Sequence, residues 1–137
     1  MTLRIALTSV MVGDQERALA FYRDVLGFAL KRDLPMGGPR WLTDVAPAAP
    51  DGVELLLEPI GFEPARAYQQ ALFSAGIPAT AFAVEDIAAE HRRLVAKGVA
   101  FRSGPTSAGP GPATAVFEDG CGNLIQIFET AMEAQTA

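Results

Sequence analysis

The sequence predicts an α+β protein built from two consecutive βαβββ modules in a single domain. A strand, an acidic helix cap, an amphipathic helix and a glycine follow one another in LTSVMVGDQERALAFYRDVLGF, residues 7–28. A fainter copy of this unit, ATAFAVEDIAAEHRRLVAKGVAF, occupies residues 79–101. Strand-like segments separated by Gly- and Pro-rich turns follow each copy. The length of 137 residues suits one domain with its own core.

The first module begins with a strand, IALTSVMV, whose β-branched side chains alternate between two faces. Asp14 is placed to cap the next helix, because its carboxylate can accept the N–H groups left free at a helix start. Apolar residues, including Tyr22 as a core residue, then recur at helical spacing until Gly27 ends the helix. Three further strands complete this module: FALKRDL, RWLTDV and VELLLEP.

The second module repeats this order after a connecting helix. ATAFAV is a strand, Asp86 caps a helix that Gly98 ends, and three strands follow: VAFRSGP, ATAVFED and LIQIFET. Asp119 and Asn123 are predicted to form the last turn. The predicted boundaries are module one at 1–60, the connecting helix at 61–77, module two at 78–130 and a frayed tail at 131–137.

The two modules also correspond residue by residue. Asp14 matches Asp86 at an offset of 72 residues (86 − 14). Gly52 matches Gly122 at an offset of 70 residues (122 − 52). A slowly falling offset is expected when a duplicated module loses loop residues, although few residues are identical. The alternative is a chance pairing of two βαβββ units.

Composition restricts the class of function. The net charge is −5, without a cluster of Lys and Arg, which argues against a nucleic-acid partner. No apolar run approaches the roughly 20 residues of a membrane span, and the N-terminus does not resemble a signal peptide. We therefore expect a cytoplasmic protein without a membrane partner. The single Cys121 excludes an internal disulfide, and we interpret it as a turn residue rather than a nucleophile paired with His91, the only histidine.

Two motifs carry a resemblance to a known family. VGDQERALAFYRDVLGF, residues 12–28, and FEDGCGNLIQIFE, residues 117–129, resemble the helix signature and the closing D-x-x-G-N strand of the vicinal oxygen chelate superfamily. That superfamily includes glyoxalase I, extradiol dioxygenases, fosfomycin-resistance thiol transferases and bleomycin-resistance binding proteins. The resemblance covers nearly the whole chain. It implies one open, cup-shaped mixed β-sheet formed by both modules, with the helices packed outside, and a homodimer. It indicates the fold and not the reaction, since these activities share one scaffold.

Metal-using members of this superfamily carry ligands on the first and last strand of each module. Carried over residue by residue, these positions fall on Leu7, Leu56, Ala79 and Gln126. Gln126 is the only one of the four with a side-chain donor, and a divalent ion needs several N or O ligands. We therefore expect no metal and no other cofactor.

Two alternatives to this expectation remain open. A one-residue slip of the strands would place Thr8 and Thr80 at the ligand positions, and both are poor ligands. Glu54 and Glu58 share a face of the fourth strand, and with Gln126 they would form a sparse divalent metal site. The alternative function is then a metal-dependent enzyme of the glyoxalase or dioxygenase type.

The cup implied by the resemblance is mostly apolar, with a few polar side chains. Its predicted lining is Leu7, Ser9, Met11, Trp41, Thr43, Leu56, Glu58, Ala79, Ala81, Gln126 and Phe128. Such cavities are typical of small-molecule sites, whereas the alternative is that these side chains simply fill the core. We predict a metal-independent protein that binds an unidentified small molecule in this cup.

Glu58 is the most informative single residue of this set. A carboxylate on an apolar strand is costly to bury without a partner. It either reaches solvent, pairs with an arginine such as Arg40, or contacts a ligand. If it is buried, it could act as a general base, so a metal-free lyase or isomerase is a further enzymatic alternative.

Overall fold

A computed structural model of the protein describes residues 2–107 and 109–130, so the predicted tail at 131–137 lies outside the described residues. The elements are β1 Leu7–Val12, α1 Gln15–Ala20, β2 Ala29–Pro35, β3 Arg40–Val45, β4 Glu54–Pro59, α2 Glu63–Ala75, β5 Thr80–Val84, α3 Ile87–Ala96, β6 Phe101–Thr106, β7 Thr114–Glu118 and β8 Leu124–Glu129. This order confirms the predicted α+β class and the two tandem βαβββ modules. Within the described ranges, no helix is long and apolar enough to cross a membrane.

Each module contains one four-stranded mixed sheet, and the strand order is the same in both. The order is β1-β4-β3-β2 in module one and β5-β8-β7-β6 in module two. In each sheet the first and last strands of the module are parallel neighbours, and the other neighbours are antiparallel. The chain divides into two compact units inside α2, between Tyr68 and Gln69.

Strand register confirms the predicted correspondence between the modules. Ser9 lies opposite Leu56 in the β1–β4 pair, and Ala81 lies opposite Gln126 in the β5–β8 pair. The offsets are 72 residues on the first strand (81 − 9) and 70 on the last (126 − 56). These equal the offsets predicted from the helix cap and the turn glycine, so positions of the two modules can be compared directly.

The predicted helix caps are both present. The Asp14 carboxylate accepts the backbone N–H of Arg17 at 3.0 Å, and Asp86 accepts that of Ala89 at 3.1 Å. The first helix differs from the prediction in one respect, because α1 gives way to a π-helical turn over Phe21–Val25. Such π turns occur as single turns inside α-helices, and the 3.6-residue apolar period used for the prediction does not describe them.

One face of the module-one sheet is covered by α1, and its side chains form the core. Alternate residues of β1 and β4 are buried together with helix residues, namely Val10, Val12, Leu55, Leu57, Ala18, Leu19 and Tyr22. The burial of Tyr22 confirms its predicted place in the core. The opposite face, which we call the open face, carries Leu7, Ser9 and Met11 of β1.

The turn between β7 and β8 is held by a polar network. Asp119 Oδ1 accepts the backbone N–H groups of Cys121 (2.7 Å) and Asn123 (3.0 Å), and Asn123 Nδ2 donates to Asp119 Oδ2 at 2.8 Å. Gln69 Nε2 donates to the Cys121 carbonyl at 3.1 Å and to Asn123 Oδ1 at 3.2 Å. Asp119, Cys121 and Asn123 are therefore turn residues, as predicted.

Replacing Gly122 with alanine should destabilise this turn. Gly122 has φ +98°, and an added Cβ would lie 2.9 Å from the Cδ and Oε1 atoms of Gln69. Left-handed backbone costs an alanine about 1–2 kcal/mol, and moving Gln69 breaks two hydrogen bonds worth about 1 kcal/mol each. We expect urea unfolding to show a loss of about 3–4 kcal/mol in the free energy of unfolding.

Gly61→Ala is the matched control for this prediction. Gly61 does not have positive φ, and no atom lies within 4 Å of an added Cβ. Its free energy of unfolding should change by less than about 0.5 kcal/mol. Equal losses in the two variants would contradict the role assigned to Gly122.

Candidate functional site

The two modules differ where their antiparallel strands meet beside the helix N-terminus. β7 and β8 pair at five successive positions, ending at Thr114 opposite Phe128. β3 and β4 pair at only two positions, ending at Thr43 opposite Leu56. The first half of β3, Arg40–Leu42, is therefore not paired with the end of β4, Leu57–Pro59, in the described structure. We call this opening the β3–β4 gap.

Proline in β4 removes one of the hydrogen bonds that module two makes at this place. In module two the N–H of Glu129 donates to the carbonyl of Ala113 at 3.0 Å and extends the sheet. Pro59 occupies the position that corresponds to Glu129, and it has no N–H to donate. The carbonyl of Arg40, which corresponds to Ala113, instead accepts a hydrogen bond from Gln15 Nε2 at 2.8 Å.

The Gln15 side chain bridges the gap with its amide group. Its Nε2 also donates to the Leu57 carbonyl at 2.9 Å, and its Oε1 accepts the Arg40 N–H at 2.9 Å. One side chain thus satisfies backbone groups of both strands that would be costly to leave unpaired. In α3 the corresponding residue is Ile87, which is buried and has no polar group to bridge strands.

The gap opens into a pocket of about 280 Å³. Its walls are Met36, Pro39, Arg40, Trp41, Leu56, Glu58 and Pro59. Five of these seven side chains are apolar. Small-molecule pockets span roughly 300–1,000 Å³, so this volume suits a compact ligand or one end of a larger one.

Glu58 is the carboxylate of this pocket. It is half-buried and forms no hydrogen bond or ion pair with any residue that the structure describes. The predicted alternative that it pairs with Arg40 is wrong, because that guanidinium is already engaged. Arg40 Nη1 lies 2.6 Å from Glu16 Oε2, and Arg40 Nη2 lies 2.8 Å from Asp33 Oδ2. The hydrogen bond from Arg40 lowers the pKa of Asp33. The positive charge of Arg40 is therefore balanced by Asp33 rather than by Glu58.

Glu54 lies four residues before Glu58 on the same face of β4. Its carboxylate has hydrogen-bond and ion-pair partners, whereas Glu58 has none among the described residues. Thr43 Oγ1 donates to Glu54 Oε1 at 2.7 Å, and Arg32 Nε lies 3.1 Å from the same oxygen. The hydrogen bond from Thr43, followed by that from Arg32, lowers the pKa of Glu54. The two carboxylates therefore differ in what they can offer a ligand.

The residues predicted to line the cup lie on corresponding faces within each module. Those of module one are Leu7, Ser9, Met11, Trp41, Thr43, Leu56 and Glu58. The structure brings Trp41, Leu56 and Glu58 together in the pocket, whereas Thr43 is fully buried. Those of module two are Ala79, Ala81, Gln126 and Phe128. Their two alanines are exposed and Gln126 is half-buried. Ligand binding by these residues stays a prediction.

The positions equivalent to the superfamily's metal ligands do not fit a metal ion. Leu7, Leu56 and Ala79 have no side-chain donor, and Gln126 supplies only one. Across residues 2–107 and 109–130, no three His, Cys, Asp or Glu side chains form a group that could hold a metal ion. Glu54, a member of the alternative site, is already bound by Thr43 and Arg32.

His91 has a packing role on α3. Its ring lies edge-on to that of Phe101, with the centroids 4.5 Å apart. It is half-buried, as expected for a histidine at the surface of a helix that packs on a sheet.

The sequence patterns did not predict that Asp44 of β3 is buried. Asp44 is 0% exposed, and neither carboxylate oxygen has a hydrogen-bond partner among the described residues. Burial raises its pKa to about 6, against the opposing charge of Arg23. Asp44 lies opposite Leu55, as Phe117 lies opposite Ile125 in module two, so the carboxyl occupies the place of a buried phenyl ring.

Comparison with known proteins gives consistent results. Residues 4–127 match the model of the Glyoxalase/Bleomycin resistance protein/Dioxygenase superfamily. The chain is 51% identical over 127 residues to the uncharacterized protein YurT of Bacillus subtilis (strain 168), which covers 93% of this chain and 99% of YurT. The crystal structure of UcmS2 is similar at a TM-score of 0.81 and 30% identity, covering 95% of this chain and 100% of UcmS2. TnmS3, an antibiotic binding protein from Streptomyces sp. CB03234, is similar at a TM-score of 0.74 and 30% identity, covering 93% of this chain and 96% of TnmS3.

Proposed function

The chain belongs to the Glyoxalase/Bleomycin resistance protein/Dioxygenase superfamily, and we propose that within it this protein is a metal-independent small-molecule-binding protein. Its binding site is the pocket at the β3–β4 gap of module one. The observation that carries this proposal is an apolar pocket that contains a carboxylate, Glu58, with no partner in the part of the chain that the structure describes. The pocket lies at an opening that module two lacks.

The construction of the gap supports a binding role. Pro59 has no N–H to donate to the Arg40 carbonyl, and Gln15 satisfies the backbone groups that the missing pairs would leave free. The opening is therefore a stable part of the sheet and needs no ligand to hold it apart. Apolar walls with a few polar groups are what small-molecule sites present.

The class of ligand is supported by similarity to an antibiotic binding protein. TnmS3 carries that description and aligns with nearly all of this chain at 30% identity. We propose that the ligand of this protein is likewise an antibiotic, or a compound with an apolar body and a polar group that match this pocket. The lack of donor atoms at Leu7, Leu56 and Ala79 favours binding without a metal over the metal-dependent enzymatic alternative.

A compound panel tests this function with a reporter built into the site. Trp41 is the only tryptophan of the chain and lines the pocket, so all tryptophan fluorescence comes from a residue of the gap. We expect at least one amphipathic aromatic antibiotic to change Trp41 emission to saturation. The dissociation constant from this titration should equal the one measured by calorimetry. Calorimetric binding without a change in Trp41 emission would place the site elsewhere, and no binding by either method would contradict the proposed function.

A further inference from the structure

We propose that the ligand presents an organic cation, a protonated amine or a quaternary ammonium group, to Glu58 and Trp41. This inference rests on the proposed function and specifies the chemistry of the same pocket. It is carried by the charges around the gap. Among the described residues, Glu58 has no partner, and Arg40, the basic side chain that lines the pocket, is already bound to two other carboxylates.

The charge of Glu58 is partly withdrawn from water and not neutralised. The side chain is half-buried beside Leu56 and Pro59, both apolar walls of the pocket. It has no ion pair or hydrogen bond among the described residues. Desolvating a carboxylate further under a neutral ligand would be unfavourable, whereas a ligand cation would offset that loss.

The basic residues of the neighbouring strands are already paired. Arg40 contacts Glu16 and Asp33, as described above, so this cluster carries two carboxylates for one guanidinium. On β2, Arg32 pairs with Glu54 at 3.1 Å, and Lys31 Nζ donates to the Pro50 carbonyl at 2.8 Å and lies 3.4 Å from Asp51. An anionic ligand would have to compete with these carboxylates for the basic side chains, while a cationic ligand would not.

The aromatic wall fits the same ligand. The electron-rich face of an indole attracts cations more strongly than any other aromatic side chain, and the effect grows as the site is desolvated. Trp41 and Glu58 line one pocket of about 280 Å³, which limits the cation to a compact ammonium group. A carboxylate with an aromatic wall supplies both long-range attraction and a contact surface for such a group.

Choline and 3,3-dimethylbutan-1-ol provide a matched pair of probes. The alcohol has the shape of choline with a neutral carbon in place of the charged nitrogen. Binding is followed through the indole N–H resonance and the emission of Trp41 in the full-length protein. We expect choline to bind at least about tenfold more tightly than the alcohol.

Two variants with equal loss of charge locate the source of this preference. Glu58→Gln keeps the shape of the side chain and should bring the two affinities to within about twofold of each other. Glu85→Gln changes an exposed carboxylate of module two, so it alters the net charge equally and should keep the wild-type ratio. Urea midpoints confirm that both variants fold.

The failures of the two proposals can be told apart. Equal affinities in the wild type, a preference that survives Glu58→Gln, or no response of Trp41 to choline would each overturn the cationic ligand. The proposed function would still stand if a compound of the antibiotic panel perturbs Trp41. A panel that leaves Trp41 unperturbed contradicts the proposed function itself.

Discussion

Replacing Asp44 with leucine should raise the free energy of unfolding by about 3 kcal/mol at pH 8. Asp44 is fully buried, and its oxygens find no hydrogen-bond partner among the described residues. Leucine has nearly the shape of aspartate with methyl groups in place of the oxygens, so it fills the same space without a desolvated charge. Phe117, at the corresponding position of module two, already shows that an apolar side chain suits this site.

The size of this effect depends on pH, and its sign follows from the direction of the pKa shift. The pKa of Asp44 is raised from an ordinary 3.8 to about 6 in the folded protein. Between these values the folded state binds a proton that the unfolded state has released. Stability therefore falls as pH rises from about 4 to about 6, and the full penalty of about 3 kcal/mol is present above that window.

Urea unfolding of the wild type and the variant between pH 4 and pH 8 measures this penalty. The stability difference, Asp44→Leu minus wild type, should grow across the window, because shifts of the other carboxylates cancel in the difference. Asp44→Asn is the control that removes the charge but keeps an unpaired polar group, so it should flatten the same pH dependence with a smaller gain at pH 8. Parallel stability curves for wild type and Asp44→Leu would contradict a raised pKa for this carboxyl.

Exchanging Gln15 for isoleucine and Pro59 for glutamate should close the β3–β4 gap and remove ligand binding. These are the residues of the corresponding positions in module two, Ile87 and Glu129, where the ladder is continuous. Glutamate restores an N–H that can donate to the Arg40 carbonyl, as in module two. With the strands paired up to their ends, the pocket has no opening, and we expect affinity to fall by at least about tenfold in the Trp41 emission assay.

The single variants separate closure of the gap from damage to the sheet. Gln15→Ile alone leaves the carbonyls of Arg40 and Leu57 without their bonds, and should destabilise the protein by about 1–3 kcal/mol. Adding Pro59→Glu should recover much of that loss, because the backbone groups regain partners. A double variant that is well folded and binds with wild-type affinity would contradict a binding site in the gap.

Local features of the fold were predictable from the sequence. Asp14 and Asp86 predict where the helices begin, because a helix cap depends on only a few neighbouring residues. The face on which Ser9 or Leu56 lies follows from the strand period of two, and the strand register agrees with it. The offsets between the modules followed from the helix caps and the turn glycines, and the strand pairs show the same offsets.

Features that depend on distant partners were not predictable in this way. The engagement of Arg40 by Glu16 and Asp33 requires side chains from three elements to meet, which no spacing along the chain reveals. The gap is reflected in the sequence, because Gln15 and Pro59 are chemically different from the corresponding Ile87 and Glu129 of module two. This difference becomes informative only once the two modules are aligned and the strand hydrogen bonds are known.

The burial of Asp44 could not be predicted from the alternation of polar and apolar residues alone. In RWLTDV an aspartate next to the end of a strand resembles a turn residue facing solvent. Its partner strand and the helix above it determine that it is buried instead. Comparison with Phe117 at the corresponding position is the sequence feature that would have exposed the conflict.

Binding of a small molecule in the β3–β4 gap is tested most directly by two-dimensional NMR of the wild-type protein titrated with the antibiotic panel. The indole N–H of Trp41 and the side-chain amide of Gln15 lie on the wall and at the bridge of the gap. We predict that a bound compound shifts both resonances together and to saturation. A compound that binds by calorimetry yet leaves both resonances in place would contradict the gap as the binding site.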